Sequence, residues 1–157
     1  MQYGKILVPY DASQMSDKAL ERALEIAKTA RSAIFIIHVN PEIPISSRQI
    51  YNIQNLDKVE ITITPSTKWV YDKMESNMNS VIDEKKREYS NKQIMIESSI
   101  KIGSIVETIV KFTKEKDVDL IVFGNKGLSG VSGFFKGLDS ISRSVAEKTS
   151  CDILIVR

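Results

Sequence analysis

The sequence predicts an α/β fold: a single doubly wound domain with a five-stranded parallel sheet and helices on both faces. Short apolar runs alternate repeatedly with segments of helical periodicity along the 157 residues, which is typical of successive βαβ units. The apolar runs are continuous rather than alternating, as expected of strands buried on both faces. The chain has the length of one domain with one substantial core.

The first βαβ unit lies at the N-terminus. A strand is predicted at 5–10, directly before Asp11, and a second strand at 33–39. Between them alanine and leucine recur at helical spacing, which suits a helix packed closely on a sheet. Asp11 or Ser13 can cap this helix, because either side chain can accept a hydrogen bond from a free N–H group of the first turn.

The middle of the chain is less regular. Residues 40–65 form a long excursion of unassigned structure, and loops of this length are often lids or interfaces. A helix is predicted at 66–90 with its large apolar residues on one side: Trp69, Val70, Met74, Met78, Val81, Ile82 and Tyr89. After a third strand at 94–102, Ser104 and Glu107 have the spacing of a capping box, in which each side chain accepts a hydrogen bond from the other residue's N–H.

The C-terminal part carries most of the glycines. The remaining predicted elements are a strand at 118–123, a helix at 140–148 and a strand at 153–156. Five of the seven glycines lie within 120–145, just before a serine-rich helix start. Glycines let a backbone approach a ligand closely, and a helix N-terminus favours anions. The stretch therefore predicts a phosphate site, with Lys126 as a counter-charge.

Composition and charge exclude several classes of function. The 22 basic and 20 acidic residues give a net charge of +2 and are scattered, whereas nucleic-acid binding normally shows a clustered basic surface. The single cysteine, Cys151, excludes an internal disulfide and a zinc site built on paired cysteines. Because no segment resembles a membrane span or a signal peptide, we expect a cytoplasmic protein.

Three residues from distant parts of the chain are expected to meet. Asp11, Val39 and Gly124 each lie at the carboxyl end of a predicted strand. In parallel α/β sheets, ligands bind outside these ends, at the point where the strand order reverses. Asp11 could accept hydrogen bonds from ribose hydroxyls or an adenine amine there, in addition to capping the helix.

Catalytic groups are sparse. The sole histidine, His38, ends an apolar run, where a structural histidine is more common than a general base. The chain lacks both the Gly-x4-Gly-Lys-Ser/Thr loop of P-loop hydrolases and a Gly-x-Gly-x2-Gly turn after its first strand. We predict no catalytic residues.

The sequence resembles the universal stress protein family over its whole length, residues 1–157. The similarity is carried by Ile6-Leu7-Val8-Pro9-Tyr10-Asp11-Ala12-Ser13, His38-Val39-Asn40-Pro41, Asp119-Leu120-Ile121-Val122-Phe123-Gly124, Ser140-Ile141-Ser142 and the last strand. Gly124, Gly127 and Gly137 have the Gly-x2-Gly-x9-Gly spacing of the family's nucleotide-binding branch.

The resemblance implies the strand order 3-2-1-4-5, a homodimer that pairs the C-terminal strands, and ATP as a ligand, with or without Mg²⁺ or Mn²⁺. Asp11 would contact ribose or adenine, and Val39 would hold adenine through its backbone. Gly124, Gly127, Gly137, Ser140 and Ser142 would surround the triphosphate. The predicted nucleotide site comprises Pro9, Tyr10, Asp11, Val39, Phe123, Gly124, Lys126, Gly127, Gly137, Ser140, Ile141 and Ser142.

Two departures from the family pattern bear on function. Ala12 stands in place of a glycine, and Leu138 follows Gly137 where the family has serine. Either Leu138-Asp139 is an insertion that turns Asp139 outward, or Asp139 replaces a glycine and brings a carboxylate to the phosphates. The insertion preserves the spacing of Gly137 and is favoured. We expect a nucleotide-binding stress protein with slow ATP hydrolysis at most; the alternative is a member that binds no nucleotide and acts through dimerisation and protein contacts.

Overall fold

The computed structural model describes residues 3–42, 65–90, 93–125 and 138–157. Its elements, in chain order, are β1 (Lys5–Pro9), α1 (Gln14–Ala30), β2 (Ala33–Asn40), α2 (Pro65–Glu88), β3 (Ile96–Ile102), α3 (Ile105–Lys116), β4 (Leu120–Gly124), α4 (Leu138–Lys148) and β5 (Asp152–Val156). Most of the predicted excursion at 40–65 lies outside the described residues.

The strands form one five-stranded parallel sheet in the order β3-β2-β1-β4-β5. This confirms the predicted fold class and strand order. β1 is the central strand and pairs with β2 along its whole length, so that Pro9 lies opposite Ile37. On its other side β1 pairs with β4 through Ile6 and Leu7.

Alternation along the strands divides the core between the two faces of the sheet. In β1, Ile6 and Val8 pack with α1 and α2 on one face, whereas Leu7 packs with α3 and α4 on the other. All three side chains are fully buried. Burial of such aliphatic side chains contributes about 1.5–3 kcal/mol each, which explains why continuous apolar runs identified the strands.

α1 packs on the sheet through a face of small residues. Ala19, Ala23 and Ala27 are buried and let the helix approach the strands closely, while Leu20 and Leu24 fill the space beside them. This arrangement confirms the predicted alanine-rich contact face.

The N-terminus of α3 differs from the predicted capping box. Ser104 is the N-cap residue, but its side chain makes no capping hydrogen bond. Glu107 pairs with Lys148 of α4 instead. The predicted capping box is therefore wrong. A local sequence pattern does not show that Lys148, on a neighbouring helix, binds the Glu107 carboxylate.

The buried face of α2 also differs in part from the prediction. Ile82 and Tyr89 are buried as expected, but Trp69 is 68% exposed and Tyr71 is buried. The Tyr71 hydroxyl donates a hydrogen bond to the Pro41 carbonyl at 3.4 Å. Two residues along a helix are separated by about 200°, so a helix that turns Tyr71 inward directs Trp69 to solvent.

Side chains fix the amino ends of the strands. The Asp119 carboxylate accepts hydrogen bonds from the backbone N–H groups of Gly4 at 2.8 Å and Lys5 at 2.9 Å. The Tyr3 hydroxyl donates to the Asp152 carboxylate at 2.9 Å. These bonds tie the start of β1 to the residue before β4 and to the first residue of β5, at the end of the sheet opposite the predicted crevice.

Candidate functional site

The strand order reverses at β1 and β4. α1, which follows β1, lies on one face of the sheet, and α4, which follows β4, lies on the other. Connections that part in this way leave a crevice outside the carboxyl ends of the two strands. Asp11 follows β1 and Gly124 ends β4, so both predicted residues lie at this crevice.

The turn from β1 to α1 is shaped by side chains. Asp11 Oδ1 accepts a hydrogen bond from the Ser13 N–H at 3.0 Å. Ala12 has a φ of 63°, in the left-handed region. The Ser13 side chain accepts a bond from the Ser16 N–H at 3.1 Å and caps α1. Ser13 is therefore the cap, and the half-buried Asp11 carboxylate stabilises the turn at the mouth of the crevice.

Tyr10 links β1 to both helices on one face of the sheet. Its side chain is 3% exposed, and its hydroxyl donates to Asp17 Oδ1 at 2.7 Å. Asp17 also pairs with Lys85 of α2 at 3.2 Å. Burial, followed by the hydrogen bond and charge of Asp17, raises the pKa of the Tyr10 hydroxyl, so the phenol stays neutral. Because the ring is buried, Tyr10 can contribute to the crevice only through its backbone.

Val39 belongs to β2 and lies two residues beyond Ile37, the residue opposite the end of β1. The Tyr10 N–H donates to the Ile37 carbonyl at 2.8 Å, so Ile37 directs its backbone groups toward β1. Val39, two residues later, directs its own groups the same way because the strand repeats every two residues. β1 ends at Pro9, opposite Ile37, and the N–H and C=O of Val39 therefore point past the strand, toward Asp11.

His38 has partners at both ring nitrogens. Nδ1 lies 2.7 Å from the Tyr10 carbonyl oxygen, and Nε2 lies 2.9 Å from Asn40 Oδ1. This is the arrangement of a structural histidine. Asn40 is 2% exposed, and its Nδ2 has no hydrogen-bond partner among the described residues. The sequence includes it in the His38-Val39-Asn40-Pro41 motif, but we predicted no role for it in the site.

Gly124 contacts the first turn of α1. A Cβ atom at this position would lie 2.5 Å from the Met15 carbonyl oxygen and 2.9 Å from Met15 Cβ. Approaches this short force the backbone to move, so the packing of α1 on β4 by itself requires glycine. Phe123, one residue earlier, is 6% exposed and packs in the core with α3 and α4.

α4 begins at Leu138, two residues before the predicted start at Ser140. Leu138 and Asp139 therefore belong to its first turn. Ile141 is half-buried, and Ser142 is 9% exposed. Of the other predicted residues, Lys126, Gly127 and Gly137 lie outside the described residues, as does the side chain of Ser140.

Other kinds of site have little support in the described part of the chain. It contains no group of three or more His, Cys, Asp or Glu placed to hold a metal ion. None of its helices combines the length and apolar composition that a membrane span requires. An open cavity of about 280 Å³ lies between β3 and α3, and its charged lining consists of two lysines and two glutamates: Lys101, Lys111, Glu107 and Glu115.

Comparison with known proteins identifies the family of this chain. The sequence model of the universal stress protein family matches residues 2–157. The chain belongs to the universal stress protein family. Among curated universal stress proteins, YxiE of Bacillus subtilis is 28% identical to it over 155 residues, which cover 99% of each chain.

Solved universal stress protein structures share the fold. UspA from Lactobacillus plantarum superimposes with a TM-score of 0.81 at 19% identity, over 100% of this chain and 99% of that one. The protein from Archaeoglobus fulgidus in complex with dAMP has a TM-score of 0.58 at 18% identity, over 100% of both chains. Other universal stress proteins of this fold were solved with cAMP or with AMP bound.

Proposed function

We propose that this universal stress protein binds an adenine nucleotide, ATP or a close relative, in the crevice at the carboxyl ends of β1, β2 and β4. The bound nucleotide serves as a signal or stabiliser in a cytoplasmic stress response. The observation that carries the proposal is that Val39 directs its backbone N–H and C=O past the end of β1, at the end of the sheet where Asp11 follows the strand. Structural relatives that hold AMP, dAMP or cAMP support it.

The base and the ribose fit the first two strands. An adenine edge presents an acceptor beside a donor, which matches the N–H and C=O that Val39 directs past β1. Asp11 is held by its bond to the Ser13 N–H at 3.0 Å, so the carboxylate is positioned before a ribose hydroxyl arrives. Pro9, Tyr10 and Phe123 supply the walls and backbone around these groups.

The phosphates fit the segment after β4. The N-terminus of α4 favours negative charge, and Gly127, Gly137 and Ser140 lie on the approach to it in the sequence. Ile141 packs into the core and fixes the first turns of the helix. Lys126 offsets phosphate charge, and any Mg²⁺ or Mn²⁺ would be held by the phosphates.

The site is built for binding rather than for catalysis. Both nitrogens of His38 are within hydrogen-bond distance of partners inside the fold, so the imidazole does not provide a general base for an attacking water. The Asp11 carboxylate is engaged in the turn before α1. We therefore expect ATP hydrolysis to be slow at most.

The position of Asp139 favours a second candidate, a member that binds no nucleotide and acts through protein contacts. A carboxylate in the first turn of α4, where the backbone of Asp139 lies, would compete with a phosphate for the positive end of the helix dipole. If its carboxylate also faced a phosphate oxygen at about 4 Å, the repulsion would be about 4 kcal/mol at an effective dielectric constant near 20. Our proposal places Asp139 outward.

A homodimer through β5 is part of the proposal. β5 pairs with β4 and forms an edge of the sheet in the described structure. Ile155 is 47% exposed on this strand. An apolar residue on an open edge strand is suited to pairing with a second copy.

The first experiment identifies the ligand directly. Purified protein is denatured and any released nucleotide is identified by mass spectrometry, and the stripped protein is then titrated with ATP by calorimetry. We expect adenine nucleotide in the extract or binding at micromolar to millimolar ATP. Absence of both would favour the second candidate.

Two variants assign the phosphate side. Gly127→Val is expected to abolish ATP binding by crowding the phosphates. Gly4→Ala, at the amino end of β1 and away from the crevice, is expected to bind ATP as the parent does. Asp139→Asn is expected to change the Kd less than about threefold. A gain of several hundredfold, about the size of a 4 kcal/mol repulsion, would show that Asp139 faces the phosphates.

A further inference from the structure

We propose that His38 is a positioning residue for the base of the nucleotide. By holding the carbonyl of Tyr10, it leaves the backbone N–H and C=O of Val39 available to the ligand. This inference rests on the proposed function and adds a residue that acts through its neighbours rather than by touching the nucleotide.

The argument begins with the hydrogen-bond ladder between β1 and β2. The Tyr10 N–H donates to the Ile37 carbonyl at 2.8 Å. In a parallel ladder of this register, the next bond runs from the Val39 N–H to the Tyr10 carbonyl. That bond is absent from the described residues. The Tyr10 carbonyl lies 2.7 Å from His38 Nδ1 instead.

The direction of the His38 bond explains why the ladder stops. Side chains project from the face of a sheet, whereas ladder bonds lie in its plane. A Tyr10 carbonyl aimed at the imidazole is therefore turned out of the plane and away from the Val39 N–H. The chain then leaves β1 through Ala12 at a φ of 63°, so no later residue of β1 replaces the missing acceptor.

The surroundings of the ring fix which nitrogen carries the proton. A carbonyl oxygen only accepts, so the bond to Tyr10 requires a proton on Nδ1, and Nε2 of the neutral ring is then an acceptor. With its amide turned so that Nδ2 faces Nε2, Asn40 donates to the ring across the 2.9 Å contact. This orientation gives the buried Nδ2 a partner and leaves Oδ1 in the place that has none among the described residues, and a buried oxygen without a partner is less unusual than a buried N–H without one. Asn40 thus holds His38 in the tautomer that the Tyr10 bond needs.

Three substitutions at position 38 separate the donor from the bulk of the ring. His38→Leu removes every donor, and His38→Asn keeps an amide N–H near the place of Nδ1. His38→Gln carries its amide N–H at the distance of Nε2 and serves as the matched control for side-chain polarity. All three are compared with the parent by amide hydrogen exchange of Val39 on isotopically labelled, nucleotide-free protein, and by calorimetric titration with ATP and with inorganic tripolyphosphate.

The exchange measurement reports on the ladder without any ligand. In the parent and in His38→Asn, we expect the Val39 amide to exchange at least tenfold faster than that of Ile37. In His38→Leu and His38→Gln, the freed Tyr10 carbonyl returns to the ladder and slows Val39 exchange by roughly tenfold. Equal Val39 exchange in the parent and in His38→Leu would overturn the role of His38. If His38→Leu does not fold, the pair His38→Asn and His38→Gln decides in the same way.

The titrations test whether His38 affects binding of the adenine base. We expect ATP affinity to fall roughly tenfold in His38→Leu, the size of one lost hydrogen bond, and to stay within about threefold of the parent in His38→Asn. Affinity for tripolyphosphate, which has no base, is expected to be unchanged in both. Equal losses for ATP and tripolyphosphate would overturn the inference. A parent that binds no ATP overturns the proposed function, and with it the role toward a base, whatever the Val39 exchange shows.

Discussion

Replacement of Gly124 by alanine tests whether this glycine serves the fold or the ligand. The new Cβ would lie 2.5 Å from the Met15 carbonyl oxygen, 2.6 Å from its carbonyl carbon and 2.9 Å from its Cβ. Two of these three atoms are backbone atoms in the first turn of α1, so no side-chain rotation relieves the contact. Gly124→Ala must shift α1 away from β4 or displace the end of the strand.

The size of the effect follows from the packing around this contact. Adding a methylene to a well-packed core costs about 1–3 kcal/mol, and a rigid backbone neighbour favours the upper end, about 3 kcal/mol. For a chain of this length, each 1 kcal/mol lowers Tm by about 2–4 °C. We therefore expect Gly124→Ala to lower the Tm of the nucleotide-free protein by roughly 6–12 °C.

The assay is urea and thermal unfolding followed by circular dichroism without nucleotide. Gly4→Ala is the matched control, because its Cβ would lie 3.3 Å from a side-chain oxygen of Asp119 and not against backbone atoms. That carboxylate accepts the Gly4 and Lys5 N–H bonds, so it must shift slightly, and we expect the variant to stay within about 1 kcal/mol of the parent. If Gly124→Ala left stability unchanged but lost ATP affinity, the packing argument would be refuted and the glycine would be required by the ligand.

Three further predictions concern other parts of the structure. Ala12→Gly relieves a left-handed alanine and should raise the free energy of unfolding by about 1 kcal/mol, measured by urea unfolding; a loss would contradict the assigned strain. Tyr10→Phe should cost about 1–2 kcal/mol at pH 7 through loss of the bond to Asp17. Because the folded pKa of Tyr10 is raised, its contribution is fully present below the unfolded pKa of about 10 and is lost as pH rises further, so the gap between parent and variant should narrow above about pH 10. A constant gap up to alkaline denaturation would argue against this linkage. Ile155→Lys should shift the sedimentation mass toward a monomer while the exposed control Met95→Lys should not; an unchanged dimer would exclude pairing through β5.

The fold could be predicted because its strands are buried on both faces. In such strands every residue is apolar whichever way it points, so β1, β2 and β4 stand out without knowledge of their neighbours. The alanine face of α1 could also be predicted, because small residues at helical spacing let a helix pack closely on a sheet. The strand order was implied by the family resemblance rather than by these patterns.

Partners from distant elements could not be predicted. The spacing of Ser104 and Glu107 predicted a capping box, but Lys148 on another helix competes for the carboxylate. The apolar pattern of α2 placed Trp69 inside, but Trp69 is exposed and Tyr71, whose hydroxyl donates to the Pro41 carbonyl, is buried. Both errors come from long-range contacts that a local pattern does not contain.

The sequence predicted where Asp11 and Val39 lie in the fold, but not the contacts that shape their surroundings. Asp11 and Val39 were placed at one crevice because both end strands, and the structure brings them to the same end of β1. That His38 interrupts the ladder beside Val39 could not be predicted, because the contact depends on the register of two strands. Nor did the sequence reveal that Gly124 is needed by α1, since glycine is compatible with both a ligand and a tight helix contact.

The bonds at the two ends of β1 determine how long the central strand is. At its start, Asp119 takes the N–H groups of Gly4 and Lys5, and at its end His38 takes the carbonyl of Tyr10. Each side chain comes from outside β1 and bonds a backbone group at one end of the strand. Because the crevice lies at the carboxyl end, only the His38 bond limits how far β1 extends beneath it, and a substitution at position 38 would lengthen the floor of the site without changing the topology of the sheet.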